Sequence, residues 1–245
     1  MTSGSGSEKV YGAHYHTWRS AVQLFGILDG KNTIVDGNYQ FLKPIYERIL
    51  KQQDDGIVMD YATLKTSSTH YSGVFYNNSV AMMNMGSWFI ATQIEKVKSG
   101  ESQATNWGIV KYPHPDGVPA GTTLGTITSL AVNQKSANKD AALDFLKFVT
   151  GEEGAAVIAS TGTIPAIKND EVVSSIASMD GFPTDENSKA ALTTERTYLE
   201  MPLHEKSADI EVVLNEAHDN IMTKNATIDE GLADMEKRVQ EVLNN

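Results

Sequence analysis

The sequence predicts an α/β fold, and two observations carry that prediction. Many segments place apolar residues at the three- and four-residue spacing of an amphipathic helix, whereas short apolar strand-like runs are few. The strand-like runs tend to precede helices, an order that is typical of α/β proteins. Only three or four strands are convincing, which is few for a doubly wound domain of 245 residues, so we expect part of a sheet to be missing from this chain.

The first third of the chain is predicted to contain two helices. An aromatic- and histidine-rich loop over residues 9–18 leads into a helix over 20–28, which the turn Asp29-Gly30-Lys31-Asn32 ends. Residues 33–36 are a short strand or an extended piece. The second helix covers 38–53, stops at Asp54-Asp55-Gly56, and has one apolar face made of Phe41, Leu42, Ile45, Tyr46, Ile49 and Leu50.

The middle of the chain is predicted to hold three strands. Residues 61–78 are polar and mixed, and an apolar strand over 80–85 follows them. A glycine turn then places Trp88 at the start of a helix over 89–98, which ends at Ser99-Gly100. A second strand covers 107–112 and is closed by prolines. A glycine-, proline- and threonine-rich loop over 117–125 separates it from a third strand over 129–132.

The remainder of the chain is predicted to be mainly helical. Asn138 can cap a helix that Gly151 ends, and a short helix over 152–160 follows at once. A helix over 209–222 has a clear apolar stripe. The last helix opens with Thr227-Ile228-Asp229-Glu230, which is the pattern of a capping box.

Composition excludes several classes of protein. A formal net charge of −11 argues against nucleic-acid binding, because phosphates require a basic surface. The absence of cysteine excludes disulfides, thiolate catalysis and iron–sulfur clusters. The sequence has no apolar run of 18 residues, and its first seven residues lack the regions of a signal peptide. The Gly/Ser stretch over 2–7 is either native sequence or a linker.

Several segments in order resemble one protein family over residues 9–243. They are Tyr15-His16-Thr17-Trp18, Ala81-Met82-Met83-Asn84-Met85-Gly86-Ser87-Trp88, Ala131-Val132-Asn133 with Ser136-Ala137-Asn138-Lys139, and the helix over 141–150 with Gly151-Glu152-Glu153-Gly154. Together they resemble the maltose-binding-protein-like receptors (family 1) that deliver sugars to ABC-type importers. The resemblance implies a type II periplasmic-binding-protein-like fold with two lobes. Relatives are longer, so the chain resembles an N-terminally incomplete receptor.

The resemblance also implies an assignment of the chain to lobes. Residues 1–126 and 186–245 would form a largely complete second (C-terminal) lobe, and residues 127–185 would be the remnant of a mostly missing first lobe. The implied function is to bind an oligosaccharide outside the cell or at the cell surface, without catalysis and without a cofactor. The implied partners are the oligosaccharide and the membrane permease of the importer, and no nucleic acid.

Sugar recognition requires aromatic faces for C–H groups and polar groups for hydroxyls. Trp88 is the first choice for such a stacking platform, and the alternative is that it fills the core. Matched to where relatives place their ligand contacts, a second group is predicted at Tyr15, His16 and Trp18, although Trp18 can instead pack under its loop. Three further ligand contacts are predicted from the resemblance: Thr122, Thr123 and Glu211.

Two other kinds of site were weighed against sugar binding. His14 and His16 alternate as on one face of a strand, but no third ligand is near in sequence, so no metal site is expected. The rival function is a glycoside hydrolase or a free-standing carbohydrate-binding module. A hydrolase would need paired carboxylates such as Glu152 and Glu153, or Glu195, which instead fit helix ends and solvated faces.

The incomplete first lobe has a consequence for association. The apolar faces over residues 141–158 would pack on absent strands, so we expect them to be exposed. The expected occupants are the missing first-lobe segment or a second copy of the chain.

Overall fold

The computed structural model describes residues 2–126, 128–167 and 169–245, and its described part contains mostly helices. Three short 3₁₀-helices accompany them at Gly6–Glu8, Leu24–Gly26 and Gln40–Leu42. The α-helices are α1 (Ser20–Gln23), α2 (Lys43–Asp54), α3 (Tyr61–Thr66), α4 (Tyr71–Tyr76), α5 (Phe89–Lys98), α6 (Lys139–Thr150), α7 (Glu152–Ala159), α8 (Asp170–Ala177), α9 (Glu186–Ala191), α10 (Ser207–Met222) and α11 (Ile228–Asn244).

The strands of the described part form two small parallel pairs. The strand β1 (His14–Tyr15) pairs with β2 (Met83–Asn84), and His14 lies opposite Met83. The strand β3 (Thr122–Gly125) pairs with β4 (Arg196–Leu199) in the register Thr122 to Arg196. Both pairs join segments far apart in sequence, as parallel pairing requires.

The described part of the chain divides into two compact units. Unit 1 comprises the described residues up to Met85 together with Tyr112–Thr126 and Glu195–Asn245. Unit 2 comprises Gly86–Lys111 and the described residues from 128 to Thr194. The predicted lobe boundaries differ from this division over residues 86–111 and 186–194, which lie in unit 2.

The core of unit 1 is formed mainly by α2, α10 and α11. Gly231 in α11 allows α10 to approach closely, because a Cβ there would lie 2.2 Å from Cγ1 of Ile221. The predicted capping box is confirmed, since the Thr227 hydroxyl accepts from the Glu230 N–H and the Glu230 carboxylate accepts from the Thr227 N–H. Fully buried side chains of this core include Tyr39, Leu42, Tyr46, Ile49, Ile210, Leu214, Ile221, Leu232 and Met235.

The core of unit 2 is smaller and leaves one helix outside. It is built from α5, the end of α7, and α8, with Ile90, Ile94, Ala159, Val172, Ile176, Phe182 and Leu192 buried. By contrast, α6 has no buried residue. The expected exposure of the apolar faces over 141–158 is therefore confirmed for α6, whose Phe145 is 64% exposed.

Several predicted elements differ from the structure. The predicted strands over 107–112 and 129–132 are not strands, and residues 33–36 are an extended piece with bends. The loops predicted over 9–18 and 117–125 contain β1 and β3. The helix predicted over 20–28 consists of α1 followed by a 3₁₀ turn. Among the described residues, no helix has the length and apolar character needed to cross a bilayer.

Candidate functional site

Four aromatic side chains of unit 1 meet in one cluster, which we call the aromatic patch: His16, Trp18, His70 and Tyr71. The ring centroids of His16 and Trp18 are 4.5 Å apart and edge-to-face, and those of Trp18 and Tyr71 are 5.6 Å apart. His16 also lies 5.2 Å from Tyr71, and His70 lies 4.0 Å from Tyr71. These separations are those of aromatic rings in mutual contact.

The aromatic patch is open to solvent on one side. Trp18 is 43% exposed and His70 is exposed, whereas His16 and Tyr71 are half-buried. An indole of this size in solvent, surrounded by imidazole nitrogens and a phenol, combines an apolar plate with hydrogen-bonding edges. The patch therefore has the chemical character that the sequence predicts for a sugar platform.

The strand pairing of β1 with β2 sets the position of His16. His14 and His16 lie on the same side of the chain, with His14 fully buried and His16 at the edge of the patch. Burial, and to a smaller extent the neighbouring His16, lowers the pKa of His14 to about 4. Burial and the charge of His70 also lower the pKa of His16, which favours the neutral form of the His16 imidazole.

A bidentate ion pair fixes the backbone next to Trp18. Arg19 is 3% exposed and donates from Nε and Nη2 to the two carboxylate oxygens of Glu211, at 2.9 and 2.6 Å. Both oxygens of Glu211 are thus engaged by Arg19. Glu211, which stays predicted as a ligand contact, thus joins the segment that carries Trp18 to α10.

A network of hydrogen-bonded, buried side chains extends from Arg19 into the core of unit 1. Arg19 donates to Oε1 of Gln23 at 3.2 Å, and Gln23 donates to the Tyr46 hydroxyl at 2.9 Å. Because Tyr46 accepts from Gln23, its own proton points to Nδ1 of His218, 2.9 Å away. Burial lowers the pKa of His218 to about 3, which keeps this imidazole neutral.

Tyr61 makes a second contact with the segment that carries Trp18. The Tyr61 hydroxyl lies 2.9 Å from the Thr17 carbonyl and 2.5 Å from Asp219, which also pairs with Lys65 at 2.9 Å. Next to Tyr61 is a cavity of about 10 Å³, lined by residues that include His14 and His16. This volume is sufficient for about one water molecule, so a sugar ring would have to lie on the outer face of the patch.

Tyr15 of β1 lines the same small cavity as His16. It packs against the core of unit 1, and its ring meets Phe25 edge-to-face at 6.3 Å. Burial raises the pKa of its hydroxyl. Tyr15, His16 and Trp18 were predicted as one group; Tyr15 and His16 share the lining of this cavity, while the ring of Tyr15 packs on the core.

The two predicted threonines occupy β3. Thr122 is 1% exposed, and its hydroxyl donates to the Pro119 carbonyl at 2.8 Å. Thr123 is half-buried and lies opposite Thr197 of β4. In this structure the Thr122 hydroxyl is committed to the loop before β3, and Thr123 is the more accessible of the two.

Trp88 lies in unit 2 and is 44% exposed. It occupies the residue before α5, and its ring rests against Gly86, where a Cβ would lie 2.1 Å from Cζ3 of the indole. A side chain at position 86 would displace the ring. The alternative that Trp88 fills the core does not fit this exposure.

Two members of the patch were missed by the sequence reasoning. His70 and Tyr71 lie in the stretch over 61–78, which appeared polar and mixed, and they mark the start of α4. The His70 imidazole accepts from the Ser72 N–H at 3.4 Å and interacts with its hydroxyl at 2.7 Å. The adjacent His–Tyr pair was a local signal for a second aromatic group, but its approach to Trp18 depends on tertiary packing.

The described residues offer no metal centre. Across residues 2–126, 128–167 and 169–245, no group of three or more His, Asp or Glu side chains is arranged to hold an ion. His14 and His16 have ring centroids 6.2 Å apart, and the Nε2 atom of His14 has no hydrogen-bond partner in the described structure.

With this fold and patch, the chain falls within the class of bacterial extracellular solute-binding proteins. The model of that family matches residues 6–156, which is more than half of the chain. The chain therefore belongs to the family. No curated protein matches the chain.

Solved structures give more particular relatives. A sugar transporter of Rhizobium etli, solved in an open conformation, is 61% identical, with a TM-score of 0.88 over 98% of this chain and 61% of its own. A maltose/maltodextrin-binding domain of Bdellovibrio bacteriovorus, bound to maltotriose, is 18% identical with a TM-score of 0.69, covering 100% and 64%. An ABC substrate-binding protein of Listeria monocytogenes in complex with cycloalternan is 15% identical with a TM-score of 0.70, covering 98% and 61%.

The last two likenesses show the fold alone. The chain spans about three fifths of the length of each of these relatives. The fold is thus the maltose-binding-protein-like type that the sequence predicts.

Proposed function

We propose that this chain is the sugar-binding part of a receptor for an ABC-type importer. The observation that carries the proposal is the aromatic patch, in which Trp18 is 43% exposed and the next residue, the buried Arg19, is fixed by an ion pair with the partly exposed Glu211. Membership of the solute-binding family and the likeness to the Rhizobium sugar transporter support it. An exposed indole that the fold anchors this firmly fits a role in recognition.

Binding would use the patch in two ways. The C–H face of a pyranose stacks on the indole of Trp18, while hydroxyl groups exchange hydrogen bonds with His16, His70 and Tyr71. The neutral imidazole of His16 can both donate and accept, which suits a ligand that carries hydroxyls and no charge. In unit 2, Trp88 is proposed as a second stacking surface, and Thr123 as a further polar contact.

The proposed receptor binds without changing its ligand. It acts outside the cytoplasm or at the cell surface, and it passes an oligosaccharide to the membrane permease of the importer. Unit 1 is proposed to correspond to the second lobe of the family and unit 2 to include the first-lobe remnant. The importer supplies the transport energy, so the receptor itself needs no cofactor.

The three tryptophans allow a direct test by NMR. The chain contains only Trp18, Trp88 and Trp107, so an ¹H–¹⁵N spectrum should show three indole N–H signals that single Trp→Phe variants assign. Titration with a panel of oligosaccharides should shift the signals of Trp18 and Trp88. The Trp107 signal should stay in place, because that ring packs against the core of unit 2.

Substitutions then separate binding from folding. Trp18→Ala should weaken binding by roughly 1–3 kcal/mol, about five- to a hundred-fold in Kd. The control Leu203→Ala removes a side chain of unit 1 that is 91% exposed, and it should leave Kd unchanged. Unchanged affinity in Trp18→Ala, with a large loss of stability, would show that this ring serves packing.

Product analysis distinguishes the hydrolase rival. After incubation with the same oligosaccharides, a receptor returns them intact, whereas a glycoside hydrolase releases shorter products. Turnover that persists in purified protein and disappears in a Glu195→Gln or Glu152→Gln variant would overturn the receptor proposal.

A further inference from the structure

Five Asp-Gly pairs occur in the sequence, and each is a candidate for a spontaneous change of the main chain. They are Asp29-Gly30, Asp36-Gly37, Asp55-Gly56, Asp116-Gly117 and Asp180-Gly181. All five glycines have a positive φ, between 67° and 91°, so the five turns resemble one another at this residue. What differs among them is the set of contacts that hold the carboxylate and the main-chain nitrogen that follows it.

The change that such a pair can undergo is the isomerisation of aspartate to isoaspartate. The nitrogen of the glycine attacks Cγ of the aspartate, a C–N bond forms, and a water molecule leaves as the succinimide ring closes. Water then reopens the ring at the original main-chain carbonyl, whose bond to that nitrogen breaks. The main chain now runs through Cγ and the α-carboxylate is free, while atoms and electrons are conserved overall. Glycine favours the attack because it has no Cβ beside the nitrogen.

Two of the glycines have their nitrogen committed to a turn hydrogen bond. Gly30 donates to a main-chain carbonyl at 3.1 Å, and Gly56 does so at 3.0 Å. The carboxylate of Asp55 is also paired with Lys51 at 2.7 Å. A nitrogen whose hydrogen is bonded to a carbonyl must leave that bond before it can attack, so local opening has to precede the reaction at both pairs.

Two other pairs are held by their surroundings. Asp36 accepts a hydrogen bond at 3.0 Å from the main-chain N–H two residues further on, and Gly37 is buried. Asp180 pairs with Lys98 at 3.0 Å, and Gly181 packs against α5. The pair at Asp180 is exposed, and exposed ion pairs are weak, so this position is the nearest competitor.

The pair Asp116-Gly117 lies in an exposed turn of unit 1 and differs from the other four. Both residues are exposed, and a Cβ on Gly117 would have no atom within 4 Å. Within the described structure, the Asp116 carboxylate has no hydrogen bond or ion pair, and the Gly117 nitrogen donates to no carbonyl. The turn has a single main-chain bond, from the Val118 N–H to the Pro115 carbonyl at 3.1 Å. The carboxylate can therefore rotate onto the nitrogen without any contact being broken.

We propose that Asp116 is the position at which the folded protein forms isoaspartate. The reaction needs no enzyme and no oxidant, because the two reacting groups are neighbours in the chain. It takes place away from the aromatic patch, so it does not depend on the proposed sugar binding. The free α-carboxylate of the product is the group that isoaspartyl methyltransferases modify with S-adenosylmethionine, and aged molecules of this chain are thus substrates for that class of enzyme.

A comparison of the folded and the unfolded chain isolates the effect of the structure. The purified chain is incubated near neutral pH, once in buffer and once unfolded in guanidinium chloride. Peptide mapping by mass spectrometry then gives the rate of isoaspartate formation at each of the five pairs. The unfolded chain supplies the rate that each pair has when no fold protects it.

The expected result is selective protection. The folded chain should react at Asp116 within about threefold of the unfolded rate, whereas each of the other four pairs should be slowed by about tenfold or more. Transfer of a labelled methyl group by an isoaspartyl methyltransferase should place the label on the peptide that contains Asp116. The variant Asp116→Glu, which has one more methylene and closes such a ring far more slowly, should lose most of the product, and the matched control Asp180→Glu should retain it.

Two results would overturn the proposal. In the first, Asp116 is slowed by folding as strongly as the other pairs, which shows that its turn is held. In the second, the folded chain forms isoaspartate faster at another pair, for example at Asp180, and Asp180→Glu then removes most of the product. Both results are readable from the folded and unfolded rates of the parent chain, so the test does not depend on how a variant folds.

Discussion

Acidification should destabilise unit 1, because two of its histidines are buried in the neutral form. His14 and His218 are each 1% exposed, and burial is the main cause that lowers their pKa values to about 4 and about 3. In the unfolded chain both return to the ordinary value of 6.5. Below pH 6.5 the two histidines therefore bind protons in the unfolded state but not in the folded state, and this difference favours unfolding.

The magnitude follows from the two pKa differences. At pH 5 an unfolded histidine is almost fully protonated, whereas each buried one is almost entirely neutral, so each contributes about 2 kcal/mol of destabilisation. Together they remove about 4 kcal/mol between pH 7.5 and pH 5, which is a large part of the typical stability of a domain. The contribution is fully present above pH 6.5 and is lost as the pH falls towards 4 and then 3.

Urea unfolding at several pH values tests this linkage. A variant that retains Trp18 and carries Trp88→Phe and Trp107→Phe reports on unit 1 by fluorescence. The free energy of unfolding should fall by about 4 kcal/mol from pH 7.5 to pH 5. His218→Gln should remove about half of the dependence, and His114→Gln, at an exposed position, should leave it unchanged.

The reasoning would be refuted by a free energy of unfolding that stays constant from pH 7.5 to pH 5. Equal pH dependence in His218→Gln and the parent protein would locate the proton uptake elsewhere. A fall that begins only below pH 4.5 would point to carboxylates, whose ordinary pKa values lie in that range.

Three further predictions concern the positioning of the patch, the packing of helices and affinity. Glu211→Gln leaves the buried Arg19 guanidinium without a counter-charge, so the free energy of unfolding of unit 1, measured by urea titration, should fall by about 2–3 kcal/mol. The NMR signal of the Trp18 indole N–H should also move. An unchanged signal would show that the ion pair does not position Trp18. Gly231→Ala should lower the free energy of unfolding by about 1–3 kcal/mol, because the added Cβ would collide with Ile221 of α10. The control Gly73→Ala, whose Cβ would have no atom within 4 Å, should be tolerated. Equal losses of stability in the two variants would contradict this reasoning. The chain alone should bind oligosaccharides at about millimolar Kd, because a sugar on the open patch is covered on one side only; micromolar affinity by calorimetry would contradict an open site.

The helices were the part of the fold that local sequence determines best. The helix predicted over 89–98 has the bounds of α5, and the capping box starts α11 at the expected residue. Periodic apolar residues and a capping pair are local signals, and helical hydrogen bonds are local too. The short helices α3, α4, α8 and α9 were not assigned, because six to eight residues give too few turns for a period to be read.

Strands were harder to predict because each needs a partner from another part of the chain. Thr122–Gly125 is a strand only because Arg196–Leu199 lies beside it. The local sequence around residue 122 contains no pattern that indicates this pairing. The apolar segment over 129–132 has the right composition but no partner among the described residues. Composition thus identifies a tendency to form a strand, and the available partner decides whether a strand forms.

The sequence predicted the residue types of the candidate site better than it predicted which residues come together in the patch. Sequence reasoning named His16 and Trp18, which the structure places together, and it grouped them with Tyr15, whose ring packs against the core of unit 1. It missed His70 and Tyr71, which are more than 50 positions away and reach Trp18 only through packing. Aromatic type is a property of one residue, whereas membership of a patch is a property of the fold.

The same distinction explains the role of Glu211. Glu211 was predicted as a ligand contact from the resemblance alone, because it matches a helix start that often faces the cleft in relatives. Its partner Arg19 lies 192 residues away and is buried, and a buried guanidinium requires a counter-charge more strongly than a sugar requires an acceptor. Both carboxylate oxygens of Glu211 accept hydrogen bonds from Arg19, and these bonds fix the residue next to Trp18. The recognition proposed for this patch would therefore depend on a contact that no sugar makes, which the Glu211→Gln variant tests.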